Sequence, residues 1–283
     1  MILIADSGST KTDWCLLKPD GNELSFTTEG YNPEYMAPEY ILESLKRGLP
    51  ADYATYTVKE IFFYGAGCYP DKFPIIEQPL GQLFPQAQVH VAMDLLASAR
   101  ALLGDNEGFA AILGTGTNTC IYNGNEVVQN IDSLGFIMGD EGSGAYIGKK
   151  LLADYMRGYM PREVKQQFVD TFAMSIDDII DQVYTKPMPN RFCASFAKYV
   201  KENEDKHRYY RELTTGAFRD FFLNIVTGYE SYKSYPFNCT GSVAYFFRES
   251  VEKVVLEFGM KMGIILRYPM DGLKTYHRHK MNN

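Results

Sequence analysis

Two stretches of small and polar residues follow apolar runs, and their residue types suit the binding of a phosphate chain. They are residues 6–12 (DSGSTKT) and residues 113–119 (LGTGTNT). Backbone N–H groups in such turns can converge on an anion. Mg²⁺ keeps much of its water shell, so Asp6 could sit beside it through water. The predicted phosphate ligands are Ser7, Gly8, Ser9, Thr10, Lys11, Gly114, Thr115, Gly116 and Thr117.

Each stretch alone is also compatible with an ordinary hairpin that has a polar tip. Two such loops, each after an apolar strand and each opening a hairpin, are much less expected by chance. A third turn, Gly241 and Ser242, follows the short apolar run 237–239. Glycine lets a flat ligand approach the backbone, and Ser242 is predicted to cap the helix that follows. Ordinary helix capping is the alternative interpretation of this turn.

Asp94 lies where the predicted strand 89–92 gives way to the predicted helix 94–103. Its carboxylate is a candidate functional group at this strand-to-helix junction. A cap at the start of the helix is the competing interpretation of this aspartate.

The elements around these residues alternate between strands and helices, which predicts an α/β fold with mixed sheets. A strand, a phosphate-like loop and a hairpin occur from residue 2 and again from residue 109, as in a duplicated domain. The Asn123-Gly124 turn is a strong hairpin signal. Residues 242–258 read as one helix and residues 269–279 as a final one.

Composition narrows the classes of function. The chain has 283 residues and a net charge of −7, which argues against a nucleic-acid partner and against docking on anionic lipid. No apolar run approaches about 18 residues, and no signal sequence opens the chain, so a cytoplasmic protein is expected. The five cysteines are scattered, which is not the pattern of a disulfide framework or a zinc site.

The order of five motifs resembles the actin, hexokinase and heat-shock ATPase superfamily. The motifs are DSGSTKT, Asp94, LGTGTN, MGDEGS at 138–143 and TGSV at 240–243. Within that superfamily the chain is most similar to the N-acetylglucosamine kinases and to the activator ATPases of benzoyl-CoA reductase. The resemblance covers nearly the full length.

The resemblance implies a two-lobed ribonuclease H-like fold, with a mixed sheet and flanking helices in each lobe and a cleft between the lobes. The lobes would be residues 1–107 and 108–283, with the C-terminal helix 269–283 packing back on the first. ATP and Mg²⁺ are the implied cofactors, with adenine against Gly241 and Ser242, the metal at Asp6, and Asp94 as the base. The residues implied to bind the sugar are Asn32, Gly67, Asn118 and Asp140.

The implied reaction is transfer of the γ-phosphoryl of ATP to a hydroxyl, the 6-hydroxyl, of an amino sugar such as N-acetylglucosamine. A homodimer is a further expectation. Leu134-Gly135 stands where the related kinases carry Trp-Gly, which leaves the need for an N-acetyl group open. The alternatives are an activator-type ATPase, whose closely placed cysteines this chain lacks, and a nucleotide- or sugar-binding sensor without turnover.

Overall fold

The computed structural model describes residues 1–8 and 10–282, and the chain divides into two units. Unit 1 contains residues 1–106, 124–127 and the C-terminal residues from Tyr268 onward, and unit 2 contains residues 107–123 and 128–267. The C-terminal helix therefore belongs to unit 1.

Unit 1 is built on a five-stranded sheet with the strand order β3-β2-β1-β4-β5. The first three strands form an antiparallel meander, and β4 and β5 are parallel to β1. The bounds are β1 Ile2–Ser7, β2 Lys11–Leu17, β3 Glu23–Glu29, α1 Pro38–Gly48, β4 Glu60–Gly65, α2 Phe73–Leu83, β5 Gln88–Met93 and α3 Asp94–Leu103.

Helices cover both faces of this sheet. Leu3 and Ala5 pack with α1 and α2 on one face, whereas Ile2 and Ile4 pack with α3 and the final helix on the other. A strand that is covered by helices on both faces favours apolar residues on both of its sides, which explains the apolar run at residues 2–5. Leu273 of the final helix is fully buried in the second of these clusters.

Unit 2 repeats the strand order of unit 1, since its sheet runs β10-β9-β6-β7-β8. β6 and β7 are antiparallel, while β9 and β10 continue the sheet in parallel with β6. The strands are β6 Glu107–Leu113, β7 Thr117–Asn123, β8 Val127–Asn130, β9 Phe237–Thr240 and β10 Met262–Leu266. Two mixed five-stranded sheets with flanking helices confirm the predicted α/β fold class.

The helices of unit 2 lie mainly between β8 and β9. The remaining helices of the chain are α4 Gly135–Met138, α5 Gly144–Arg157, α6 Arg162–Phe172, α7 Ile176–Tyr184, α8 Pro189–Asn203, α9 Arg208–Asn224, α10 Ser242–Phe246, α11 Arg248–Glu257 and α12 Met270–Asn282. The prediction of one helix over 242–258 is wrong. The chain leaves helical geometry at Phe247, whose buried ring packs 6.1 Å from the Phe218 ring, and a new helix begins at Arg248.

Within residues 1–8 and 10–282, no helix has the length and apolarity that crossing a membrane requires.

Candidate active site

The ends of three parallel strands bring the predicted chemistry of unit 1 to one edge of its sheet. The pairing register sets Ser7 of β1 beside Gly65 of β4, and Gly65 beside Met93 of β5. In open α/β sheets, ligands bind outside the carboxyl ends of such strands. The hairpin after β1, the turn that carries Gly67 and the aspartate after β5 therefore share this edge.

Asp94 is the first residue of α3, and Met93 occupies the cap position without a side-chain cap bond. The aspartate is therefore not the helix cap that the competing interpretation requires. Burial raises the pKa of Asp94 to about 6, although the N–H groups of Leu95 and Asp94 itself oppose this rise. A carboxylate whose pKa lies close to neutral pH suits a general base.

Asp6 lies in a group of like charges at the same edge. Burial raises the pKa of Asp6 to about 7, assisted by the charges of Asp94 and Asp13 and opposed by that of Lys11. Asp13 was not predicted from the sequence, but it stands directly opposite Asp6 in the β1–β2 register. The short hairpin between the two strands could have indicated this pairing.

Lys11 is held in place by two neighbours in unit 1. Its Nζ lies 2.7 Å from Asp13 Oδ2 and 4.8 Å from the centroid of the Tyr268 ring. The ammonium group thus stays at the base of the hairpin, where Asp13 orients it.

The hydroxyl of Ser7 faces inward. Ser7 is fully buried, and its Oγ accepts a hydrogen bond from the Tyr31 N–H (2.9 Å) and lies 2.7 Å from Thr12 Oγ1. The hydroxyl thus ties the chain before Asn32 to the hairpin, and phosphate binding by Ser7 stays a prediction. The N–H of Gly30 donates to the Thr10 carbonyl (3.1 Å) and adds to this connection.

The rest of the first hairpin is closed by one backbone bond. The Gly8 N–H donates to the Lys11 carbonyl at 3.0 Å, and residues Gly8 and Thr10 are exposed. Ser9, which was also predicted to bind phosphate, lies outside the described residues.

Asn32 and Gly67, both predicted to bind the sugar, lie next to each other in the fold. Gly67 has φ +74°, and a Cβ at that position would lie 2.4 Å from Asn32 Oδ1. Only glycine permits this close approach without a shift of the asparagine. Asn32 Oδ1 also accepts the N–H of Glu34 at 2.9 Å, which fixes the turn that presents the asparagine.

Unit 2 has an equivalent edge at the carboxyl ends of β6, β9 and β10. Ile112, Thr240 and Leu266 lie abreast in the sheet, and Gly241 follows with φ +118°. A Cβ on Gly241 would lie 2.3 Å from the Leu113 carbonyl oxygen, so the turn after β9 packs directly against the start of the second hairpin.

The prediction that Ser242 caps α10 is wrong. Gly241 occupies the cap position, Ser242 is the first helical residue, and no side-chain cap bond forms. The dihedral angle required at the cap is one that only glycine adopts easily, so the serine is displaced by one position.

The second hairpin is fixed to the start of α5. The N–H of Gly144 donates to the Gly114 carbonyl (2.8 Å), and the N–H of Ala145 donates to the Thr115 carbonyl (3.1 Å). The backbone of residues 114–116 is therefore held rigidly, as a phosphate-binding loop needs to be.

Asp140 lies against this second hairpin. Its Oδ1 accepts the Thr117 N–H at 3.1 Å, and a Cβ on Gly116 would lie 3.0 Å from its Oδ2. The Thr117 hydroxyl is buried beside this carboxyl without completing a hydrogen bond in the described structure. Burial raises the pKa of Asp140, and the Thr117 N–H is the main opposing influence. The cap of α5 is Ser143, so Asp140 does not simply open a helix.

Asn118, the remaining residue predicted to bind the sugar, lies on β7. Its Oδ1 accepts the Thr119 N–H and the Asn130 Nδ2–H, both at 2.9 Å. This oxygen links β7 to β8.

The described residues contain no group of three or more His, Cys, Asp or Glu side chains arranged to hold a metal ion. Asp6 nevertheless fits the chemistry of Mg²⁺, which takes oxygen ligands and relies on few protein groups. A divalent cation beside Asp6 would also relieve the mutual repulsion of Asp6, Asp13 and Asp94.

The two sheets have the same strand order, and each has a hairpin of small residues after its first strand. These features define the class of actin/hexokinase/heat-shock ATPase folds. No family model and no curated protein matches the chain. Among solved structures, a candidate N-acetylglucosamine kinase from Porphyromonas gingivalis is 38% identical, with a TM-score of 0.93 over 99% of both chains. The chain belongs to this N-acetylglucosamine kinase-like family.

Two more distant structures share the fold. A candidate N-acetylglucosamine kinase from Chromobacterium violaceum is 18% identical, with a TM-score of 0.73 over 97% of this chain and 98% of its own. A ROK family glucokinase from Streptomyces griseus, solved with glucose and AMPPNP, is 15% identical, with a TM-score of 0.55 over 94% of this chain and 93% of its own.

Proposed function

We propose that the protein is an ATP-dependent kinase that transfers the γ-phosphoryl group to the 6-hydroxyl of an amino sugar such as N-acetylglucosamine. The observation that carries this proposal is the placement of Asp94. Its carboxylate stands at the carboxyl edge of the unit 1 sheet, with a pKa raised to about 6 by burial. Membership of the family with the P. gingivalis protein supports the choice of substrate class.

Asp94 accepts the proton of the attacking sugar hydroxyl in this proposal. The remaining groups position the reactants, because phosphoryl transfer depends mainly on alignment and charge neutralisation. Asn32 and Gly67 in unit 1, and Asn118 and Asp140 in unit 2, bind sugar hydroxyls. Amides and carboxylates suit this task because a hydroxyl both donates and accepts hydrogen bonds.

The nucleotide is assigned to the two hairpins and to the turn after β9. The backbone of residues 8–10 and 114–117 binds the phosphates with Lys11, and Gly241 and Ser242 lie against adenosine. Ser7 also contributes to the phosphate site, and its hydroxyl supports the first hairpin from within. When Mg²⁺ is bound, Asp6 holds it through water and the ion neutralises phosphate charge. The two lobes of this proposal divide near residues 107 and 108, and the C-terminal helix belongs to the first lobe.

An ADP-release assay over a panel of sugars tests the proposal. We expect release that depends on an amino sugar, and its loss in Asp94→Asn by a factor of about 10²–10⁴, the usual contribution of a general base. Asp20→Asn is the matched control, since Asp20 lies in an exposed turn and bonds only to Asn22 among the contacts described.

The outcomes separate the alternatives. ATP hydrolysis at a rate that does not depend on sugar would favour an activator-type ATPase. Tight binding of nucleotide or sugar without ADP release would favour a sensor. Either result would contradict the kinase proposal.

A further inference from the structure

The chain from Ser133 to Asp140, called here the 133–140 segment, carries the Asp140 carboxylate, and its middle is supported by packing mainly through the half-buried Phe136. Its ends are joined by the Asp140 N–H, which donates to the Ser133 carbonyl at 2.9 Å, and by the Ser133 hydroxyl, which donates to Asp140 Oδ1 at 3.1 Å. Between these ends, Ile137 is 87% exposed and Met138 is 76% exposed. Burial of these side chains therefore contributes little to holding the segment.

The backbone of the segment also departs from favourable geometry. Leu134 and Asp140 both have positive φ, at 58° and 57°. Residues with a Cβ adopt this left-handed region at a cost, and they do so where surrounding contacts impose it. From outside the segment, the Thr117 N–H bonds to the Asp140 carboxylate and the core packs against the Phe136 ring, so a further contact at Phe136 would fix the middle of the segment.

Lys149 of α5 supplies that contact. Its Nζ donates to the Phe136 carbonyl, and the ammonium lies 4.7 Å from the centroid of the Phe136 ring. The same group lies 5.6 Å from the Tyr146 ring, so the lysine is braced from its own helix as well. The Lys149 charge also opposes the burial that raises the pKa of Asp140.

We propose that Lys149 is a positioning residue, which fixes the 133–140 segment and thereby places the Asp140 carboxylate for the sugar. This inference rests on the proposed function, because it assumes that Asp140 binds substrate. Lys149 itself touches neither reactant in this scheme.

The neighbouring lysine provides a matched control. Lys150 lies on the same helix, and its Nζ forms an ion pair with Asp220 Oδ2 at 2.8 Å and lies 5.2 Å from the Tyr146 ring. Its described contacts do not include the 133–140 segment. Lys150→Met therefore removes a lysine charge from the same helix, while the contact between Lys149 and the Phe136 carbonyl is kept.

Steady-state kinetics of Lys149→Met, Lys149→Arg and Lys150→Met give the first test. A charge-assisted hydrogen bond is lost in Lys149→Met, so we expect the KM for N-acetylglucosamine to rise about tenfold while the KM for ATP changes less than about twofold. Arginine keeps a cationic donor and should recover part of the loss. Lys150→Met should leave both constants near wild type.

Hydrogen–deuterium exchange without substrate gives the second test. We expect the amides of Leu134, Gly139 and Asp140 to exchange about tenfold faster in Lys149→Met than in wild type or Lys150→Met, because the segment opens locally. Unchanged exchange would overturn the inference, as would faster exchange without a selective rise in the sugar KM.

The proposed function is judged separately, by phosphoryl transfer to sugar in the wild type. If transfer is present and Lys149→Met keeps the wild-type sugar KM, this inference alone fails. If the wild type transfers no phosphoryl group to any sugar, the kinase proposal fails. The proposal that Lys149 positions Asp140 for the sugar then fails with it.

Discussion

Asp94→Asn should stabilise the folded protein at alkaline pH while it removes catalysis. The pKa of Asp94 is about 6 in the folded protein against an ordinary value of 3.8, so folding favours the protonated form. The contribution of this group is fully favourable below pH about 4 and is lost as the pH rises through about 6. At pH 8 the wild type carries a buried charge that asparagine does not.

The size of the effect follows from the shift. One pKa unit corresponds to about 1.4 kcal/mol, so a rise of roughly two units corresponds to about 3 kcal/mol as an upper value. Asparagine keeps an oxygen for the helical N–H groups but is not otherwise a perfect replacement. We therefore expect a gain of about 1–3 kcal/mol in the free energy of unfolding at pH 8, and almost none at pH 4.

Denaturant unfolding of both proteins between pH 4 and pH 8 measures this difference. Glu39→Gln is the control, since Glu39 is an exposed acidic residue in the first turn of α1. It should lose about 0.3–1 kcal/mol, because a carboxylate near a helix N-terminus is favourable. A difference between wild type and Asp94→Asn that is independent of pH, or a loss of stability at pH 8, would refute the reasoning.

Three further predictions concern the two edges. Gly67→Ala should raise the KM for sugar about tenfold or more with little change in the KM for ATP. The new Cβ would collide with Asn32 Oδ1, and the residue has positive φ. Equal effects on the two KM values would contradict this prediction. Gly241→Ala should instead raise the KM for ATP, since its Cβ would meet the Leu113 carbonyl; isothermal titration with an ATP analogue measures the loss, and unchanged affinity would contradict the assignment. The kcat/KM of the wild type should fall about tenfold per pH unit below about 6, as Asp94 becomes protonated; a flat profile down to pH 5 would argue against this base.

Local sequence patterns predicted most of the elements. The apolar run at residues 2–5 was found because a central strand of a sheet covered by helices on both faces has no polar side there. The helix at 94–103 was predicted with the bounds observed, since its apolar spacing and its position after a strand agree. The second copy of the strand order could be anticipated because each copy begins with the same loop chemistry.

Other features depend on contacts between distant residues. The break at Phe247 arises from burial of its ring against Phe218, which no local pattern within 242–258 indicates. Ser7 was predicted as a phosphate ligand because it lies in the first hairpin, whereas the direction of its hydroxyl is set by Tyr31, 24 residues further along the chain. Residue types show which groups could act, whereas tertiary packing decides which way each one points.

The most direct measurement is mass spectrometry of the sugar after incubation with ATP, Mg²⁺ and the protein. We expect N-acetylglucosamine, or a close amino-sugar analogue, to gain one phosphoryl group at the 6-hydroxyl with the wild type, and to gain it about 10²–10⁴-fold more slowly with Asp94→Asn. No phosphorylated sugar with the wild type, or equal rates with the two proteins, would contradict this expectation.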